Sequence, residues 1–220
     1  MVSDMRVIDV EQGTEEWAKQ RLGFPTGSGF SRIFTAAKAE LSKQRFGYMD
    51  DLIAEKFFPE GSGTEFGGSG WTNRGHELEP EARAAYTALT GNEVHQTGII
   101  VRDNCICRVS PDGMLTVRTK RKWDAGLEIK CPAPKTHIKY FREQRLPDEY
   151  KQQVHGGMVI AGVKRWDFFS YCPGLKPLHL IVNWDGYTEK LAEGLDVFVK
   201  EYVDTWNSVV PKIQMPESGE

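Results

Sequence analysis

The sequence predicts an α/β domain with a central mixed β-sheet flanked by helices. Three observations carry that expectation. The first ninety residues place apolar side chains at helical spacing. From residue 98 the pattern changes to short runs rich in β-branched and aromatic residues, interrupted by helical stretches. A long amphipathic segment then closes the chain. The 220 residues suit a single domain, 1–220. With 40% apolar, 11% aromatic and 27% charged residues, the composition fills a core and excludes a disordered, collagenous or disulfide-scaffold chain.

Each element has its own local reason. Glu11 to Arg21 reads as a helix with Thr14 a candidate N-cap, ended by Gly23 and Pro25. Ser28 to Ala37 and Gln44 to Phe58 follow as helices; the second places Phe46, Met49, Ile53 and Phe57 at helical spacing. Residues 61–70, GSGTEFGGSG, form a flexible loop inside the domain. A phosphate-cradling loop requires a following helix and a Lys or Ser/Thr at fixed spacing, and no such context is expected here. Leu78 to Thr90 is a helix, its start set near Leu78 because Pro80 belongs in a first turn. Strands are expected at 98–102, 106–110, 114–117, 126–130, 166–172 and 178–184. Helices are expected at 134–144, 147–161 and 188–209, with 211–220 a frayed tail.

No run of 18 apolar residues encodes a membrane span, and Met1 to Val10 carries three charges with no signal-peptide core, so a cytoplasmic protein is expected. The four cysteines, Cys105, Cys107, Cys131 and Cys172, make no C-x-x-C and fit no common zinc or iron–sulfur spacing. Net charge is −3, but it is uneven. Residues 118–151 carry a net +5, ten basic against five acidic, and residues 183–220 a net −5, three against eight. Such polarity suits one basic face for a polyanion, or simply an uneven solvated surface.

The chemistry concentrates in Ser110-Pro111-Asp112-Gly113 and Leu127-Glu128-Ile129-Lys130-Cys131-Pro132. Asp112 sits in a turn that opens a strand. Glu128 and Lys130 alternate with apolar Leu127 and Ile129, so both leave one face of an otherwise buried strand. If the two strands pair, Asp112 and Glu128 converge. Two carboxylates and a backbone carbonyl suit a hard cation such as Mg²⁺. A neighbouring lysine can orient a water, stabilise developing charge or help take a proton. That set suits phosphodiester hydrolysis. Gln153 falls on the apolar face of its helix with Tyr150, Val154 and Gly157, so it is either a satisfied core glutamine or a partner of a polar site.

In order along the chain stand Trp17 with Arg21-Leu22-Gly23, Thr26-Gly27-Ser28, Gly75 with Glu79 and Ala82-Arg83, the Ser-Pro-Asp-Gly and Leu-Glu-Ile-Lys-Cys-Pro segments, and Pro147-x-x-Tyr150-x-x-Gln153-Val154 with Met158. Together they resemble the family of phage lambda exonuclease and the YqaJ-type viral recombination nucleases, within the PD-(D/E)xK superfamily. The resemblance implies a restriction-endonuclease-like core and a Mg²⁺-dependent exonuclease, with Mn²⁺ a substitute. Such an enzyme degrades the 5′ strand of duplex DNA and leaves 3′ single strands for recombination. It further implies a homotrimeric ring and a single-strand annealing protein as partner. Asp112 and Glu128 would bind metal, with the Ile129 carbonyl. Lys130 would position the water, Glu79 would be the upstream acid, and Gln153 would hold the water or Lys130. Arg21, Thr26, Ser28 and Ser110 would receive the terminal 5′-phosphate.

Arg21 also suits a helix C-terminal cation and Ser28 an N-cap. Trp71 could stack on an unpaired base or pack at a subunit interface, and His76 could touch DNA. Lys135, Lys139 and Arg142 recur on one helical stripe that could line a ring's channel. The competing readings are a structure- or site-specific endonuclease on the same fold and a non-enzymatic DNA-binding module.

Overall fold

The computed structural model describes residues 5–59, 70–102, 106–117 and 123–214. The chain opens with strand β1 (Met5–Ile8), helix α1 (Glu15–Lys19), a 3₁₀ turn (Gly27–Gly29), and helices α2 (Phe30–Ile33), α3 (Gln44–Phe57) and α4 (Gly70–Thr90). Strands β2 (Glu93–His95), β3 (Ile99–Arg102), β4 (Arg108–Val109), β5 (Gly113–Thr116) and β6 (Ala125–Lys130) follow. Helices α5 (Pro134–Glu143) and α6 (Asp148–Ala161), strands β7 (Arg165–Ser170) and β8 (Leu178–Asn183), and helix α7 (Gly186–Ile213) complete it.

Five strands form a mixed sheet in the order β2-β5-β6-β7-β8, and β1-β3-β4 form a separate antiparallel sheet. Among the strands of the described residues, only β6 and β7 pair in parallel, joined by the crossover through α5 and α6. A strand covered on both faces cannot alternate polar and apolar residues. Accordingly every residue of β6 except Lys130 is buried. Alternation along β7 sends Trp166 and Phe168 into the larger cluster, with α2, α3, α6 and α7, and Phe169 into a smaller cluster under Ala82 and Tyr86 of α4.

Glycine sets how closely α6 approaches the sheet. A Cβ on Gly157 would lie 2.7 Å from the Trp166 ring, and one on Gly126 would lie 2.4 Å from it. Trp166 is thus clasped between β6 and α6. Gln153, one helical turn before Gly157, is thereby held above Glu128, two residues along β6 from Gly126.

The helices depart from the sequence expectation at their ends. Thr14 caps α1 by accepting from the Trp17 N–H at 3.2 Å, but the helix stops at Lys19. α2 is only four residues long, because the 3₁₀ turn takes the preceding residues. α4 begins at Gly70, eight residues before Leu78, with Pro80 inside it. Proline forfeits one intrahelical bond there, at a cost of about 3 kcal/mol. Fully buried Ala82 and Tyr86 anchor the turns that follow. α7 starts at the Asp185–Thr188 capping box and continues through Pro211 to Ile213, so the tail starts later than residue 211. The short strands β1 and β2 were not expected. Residues 61–69 of the Gly/Ser loop lie outside the described residues. Among the described residues, no helix is long and apolar enough to cross a membrane.

Asp167 is fully buried on the α4 side of β7. Arg165 grips it at 2.6 and 2.8 Å, the Tyr86 hydroxyl donates to it at 2.8 Å, and His179 Nε2 lies 2.7 Å away. Burial alone would raise its pKa, yet the bonds from His179, Arg165 and Tyr86 hold it below the ordinary Asp range. A depressed folded pKa contributes stability above the unfolded value of about 4 and loses it as pH falls through the folded value. Asp167→Asn should therefore cost about 3–5 kcal/mol at pH 7. The gap in Tm between wild type and variant should shrink as pH drops below about 4. A gap that stays constant from pH 7 to pH 3 would contradict the charged network.

Candidate active site

The pairing of β5 with β6 brings the two acidic segments together, with Gly113 opposite Leu127. The Asp112 N–H donates to the Leu127 carbonyl at 3.1 Å, and the Ile129 N–H donates to Asp112 Oδ2 at 2.6 Å. The Pro-Asp-Gly turn is thereby locked onto β6 through both main chain and carboxylate. Glu128 is 2% exposed. Its Oε1 receives Lys130 Nζ at 2.5 Å and Gln153 Nε2 at 2.7 Å. Gln153 is therefore the partner of a polar site and not a glutamine satisfied within the core. Glu79 enters from α4, where Arg83 one turn later pairs with it and donates from Nε to the Asp112 carbonyl at 3.3 Å.

Burial pushes Glu79 up to about 7, aided by the nearby Asp112. Burial likewise pushes Glu128 up to about 7, with Asp112 and Glu79 adding to it against the pull of Lys130. Burial opposes the Lys130 charge, but Glu128 and Asp112 outweigh it and hold the ammonium above the usual lysine range. Of the three roles open to this lysine, proton acceptance is the one its charge state disfavours. Among the described residues, no three or more His, Cys, Asp or Glu side chains close around one point to hold a metal. The Asp112 and Glu128 carboxylates with the Ile129 carbonyl nevertheless form an all-oxygen set of the kind hard divalent cations take. A cation there would also relieve the repulsion that raises these acids.

The second group assembles next to the first. Arg21 follows α1 and stacks on the Trp17 ring, 4.1 Å from its centroid. Trp17 Nε1 donates to Ser110 Oγ at 2.9 Å, and Arg21 Nη2 donates to Ser28 Oγ at 3.1 Å. Thr26 Oγ1 lies 3.3 Å from Ser28 Oγ. Arg21 forms no ion pair among the described residues, and burial lowers its pKa. Ser28 lies inside the 3₁₀ turn and caps no α-helix, so an anion there would gain from Arg21 and the hydroxyls, not from a helix dipole. A recess of about 40 Å³ lined by Arg21, Ser28, Ser110, Glu128 and Gln153 joins the two groups.

All expected residues except Trp71 thus fall into one neighbourhood. The backbones of Trp71 and His76 lie in α4, but their side chains are outside the described residues. Two residues were given no role from the sequence. Arg83 is signalled by the Ala82-Arg83 motif and by standing four residues after Glu79, on the same helical face. Trp17, which binds both Ser110 and Arg21, is signalled only by the motif it forms with Arg21-Leu22-Gly23.

A crystal structure of an alkaline exonuclease (LHK-Exo) from Laribacter hongkongensis is similar, with a TM-score of 0.74, 27% identity, and 90% of this chain and 97% of that one covered. The structure of LHK-Exo in complex with dAMP gives 0.69 at 27% identity, covering 90% and 100%. A phage-related exonuclease from Haemophilus somnus 129PT shares the fold at a TM-score of 0.64 and 15% identity, covering 87% and 96%. No curated protein matches the chain. The sequence pattern of the YqaJ-like viral recombinase domain matches residues 16–164, and the chain belongs to that family.

Proposed function

We propose that the protein is a Mg²⁺-dependent 5′→3′ exonuclease of duplex DNA. It releases 5′-mononucleotides and leaves 3′ single strands for strand annealing. One observation carries the reading: a single recess connects Arg21, Ser28 and Ser110 to Glu128 and Gln153. A group that grips a terminal phosphate is useful only to an enzyme that works from an end. Its distance from the acids then sets which phosphodiester is cut. The LHK-Exo neighbour is named an exonuclease and has been solved with dAMP, a nucleoside monophosphate, which supports this class of reaction and product.

Asp112, Glu128 and the Ile129 carbonyl would hold the cation, which would neutralise the scissile phosphate and make a water more acidic. Lys130, held protonated, orients that water and stabilises the charge that develops on the phosphate. Gln153 holds the Glu128 carboxylate in place and offers its amide to the water. Glu79, fixed by Arg83, hydrogen-bonds in the outer shell. Arg21 supplies a planar, charge-assisted grip on the 5′-phosphate, and the hydroxyls of Thr26, Ser28 and Ser110 fill the remaining acceptor sites.

The homotrimeric ring and the annealing partner rest on the family resemblance. Lys135, Lys139 and Arg142 are all exposed on α5, as a DNA-lining stripe requires.

Asp112→Ala, Glu128→Ala or Lys130→Ala should reduce cleavage at least about 10³-fold while leaving circular dichroism spectra native. Near-normal rates in any of them would remove the proposed site. Arg21→Ala should lose a charge-assisted bond worth about 1.5–3 kcal/mol, so the preference for 5′-phosphate over 5′-hydroxyl ends should fall about tenfold or more. Equal slowing on both ends would refute the phosphate role. The primary test digests linear duplexes with 5′-phosphate or 5′-hydroxyl ends, and a closed circle, in Mg²⁺. Mononucleotides released fastest from the phosphorylated end, with the circle intact, are expected. Cutting of the circle would mean an endonuclease.

A further inference from the structure

Arg21 and Ser28 also line a second, larger cavity of about 420 Å³, which Glu128 and Gln153 do not reach. A single phosphate would leave most of it empty, since volumes of about 300–1,000 Å³ suit whole small ligands. Three aromatic rings, Trp17, Phe24 and Tyr48, stand in its walls beside the charged Arg21, Arg32 and Glu55. The rings are held in place. Trp17 is bonded to Ser110, and the Tyr48 hydroxyl accepts from the Thr26 N–H at 3.1 Å.

The charge beneath one wall is unusual. Two cations lie over the Phe24 ring, with Lys56 Nζ 4.0 Å and Arg108 Cζ 3.4 Å from its centroid. Arg108 is 8% exposed, and its Nε and Nη1 have no hydrogen-bond partner. Burial, with Arg6 nearby, brings its pKa down to about 10, and burial and Arg108 together lower that of Lys56. The acids nearby balance this only in part, for Glu55 lines the cavity and attracts Lys56. Asp51 is taken by Arg32 at 2.7 Å, and Glu55 accepts from the Gly23 N–H at 2.8 Å. A buried guanidinium with two nitrogens left unbonded destabilises a fold. Features of that kind persist where a ligand supplies the missing charge.

We propose that this cavity is an anion-accepting subsite for what lies beyond the terminal 5′-phosphate. Its ligand is a second phosphate group on the 5′ side of the one at Arg21, carried by an unpaired overhanging nucleotide or by a 5′-triphosphate. The proposal rests on the 5′-phosphate reading of Arg21 and Ser28. The aromatic walls accept a base, and the Lys56–Phe24–Arg108 stack gives one wall a positive potential without placing a guanidinium in the solvent.

The test measures binding in Ca²⁺, where turnover does not interfere. Full-length protein is titrated with fluorescent duplexes that end in a blunt 5′-phosphate, a one-nucleotide phosphorylated 5′ overhang, or a blunt 5′-triphosphate. Closed circular duplex serves as competitor. The overhang, the triphosphate or both should bind at least about threefold more tightly than the blunt monophosphate. Preference for the overhang alone identifies the nucleotide, and preference for the triphosphate alone identifies the polyphosphate. Arg108→Met and Lys56→Met should each erase the preference. Arg108→Met should melt no lower than wild type, because it removes a buried charge with two nitrogens left unbonded. Lys56, which is exposed, carries the test if the Arg108 variant does not fold. Equal binding of all three ends, or a preference unchanged in both variants, would overturn the subsite. If the circle competes as well as linear ends, the exonuclease reading itself fails.

Discussion

A carboxylate buried to 2% exposure at the end of β6 is the constraint from which the rest of the site follows. A charge taken out of water must be paired and hydrogen-bonded, or it neutralises. Glu128 has one partner on its own strand, Lys130, and one from above, Gln153. The second requires α6 to lie almost on the sheet, which Gly157 and Gly126 permit by leaving Trp166 room between them. The parallel pairing of β6 with β7 fixes Trp166 opposite Gly126. Backbone register, two missing Cβ atoms and one tryptophan therefore decide where an amide meets a carboxylate.

Three further anchors build outward. Asp112 is tied to β6 through the Ile129 N–H, so the distance between the acids is set by backbone rather than by side-chain freedom. Arg83 spans Glu79 and the Asp112 carbonyl, coupling α4 to the same turn. On the other side, Trp17 joins Ser110 to Arg21. Ser110 precedes Asp112 by two residues, so the phosphate-side and acid-side groups share one short segment. This preorganisation is what hydrolysis at a fixed distance from a DNA end requires.

Much of this was legible in the sequence because its signals are local. Glu-x-Lys between Leu127 and Ile129 states which face is polar, and Pro-Asp-Gly states where the turn lies. Gln153 among Val154 and Gly157 announces a buried amide. What was hidden depends on distant partners or on competing local terms. Pro80 reads as a helix start, yet packing of Ala82 and Tyr86 overrides it. Ser28 reads as a helix cap, yet its hydroxyl serves Arg21 and Thr26 in a 3₁₀ turn. β1 and β2 are too short to show a period. Phe24, Lys56 and Arg108 are separated by up to 84 positions, and nothing in any one of them foretells their stacking.

The central claim is that one recess holds both a cation between Asp112 and Glu128 and a terminal phosphate against Arg21. A crystal structure of the full chain with Ca²⁺ and a 5′-phosphorylated duplex tests it most directly. The account predicts density for Ca²⁺ on Asp112, Glu128 and the Ile129 carbonyl, with the 5′-phosphate on Arg21 and Ser28. A cation bound elsewhere, or a duplex end seated away from Arg21, would contradict it.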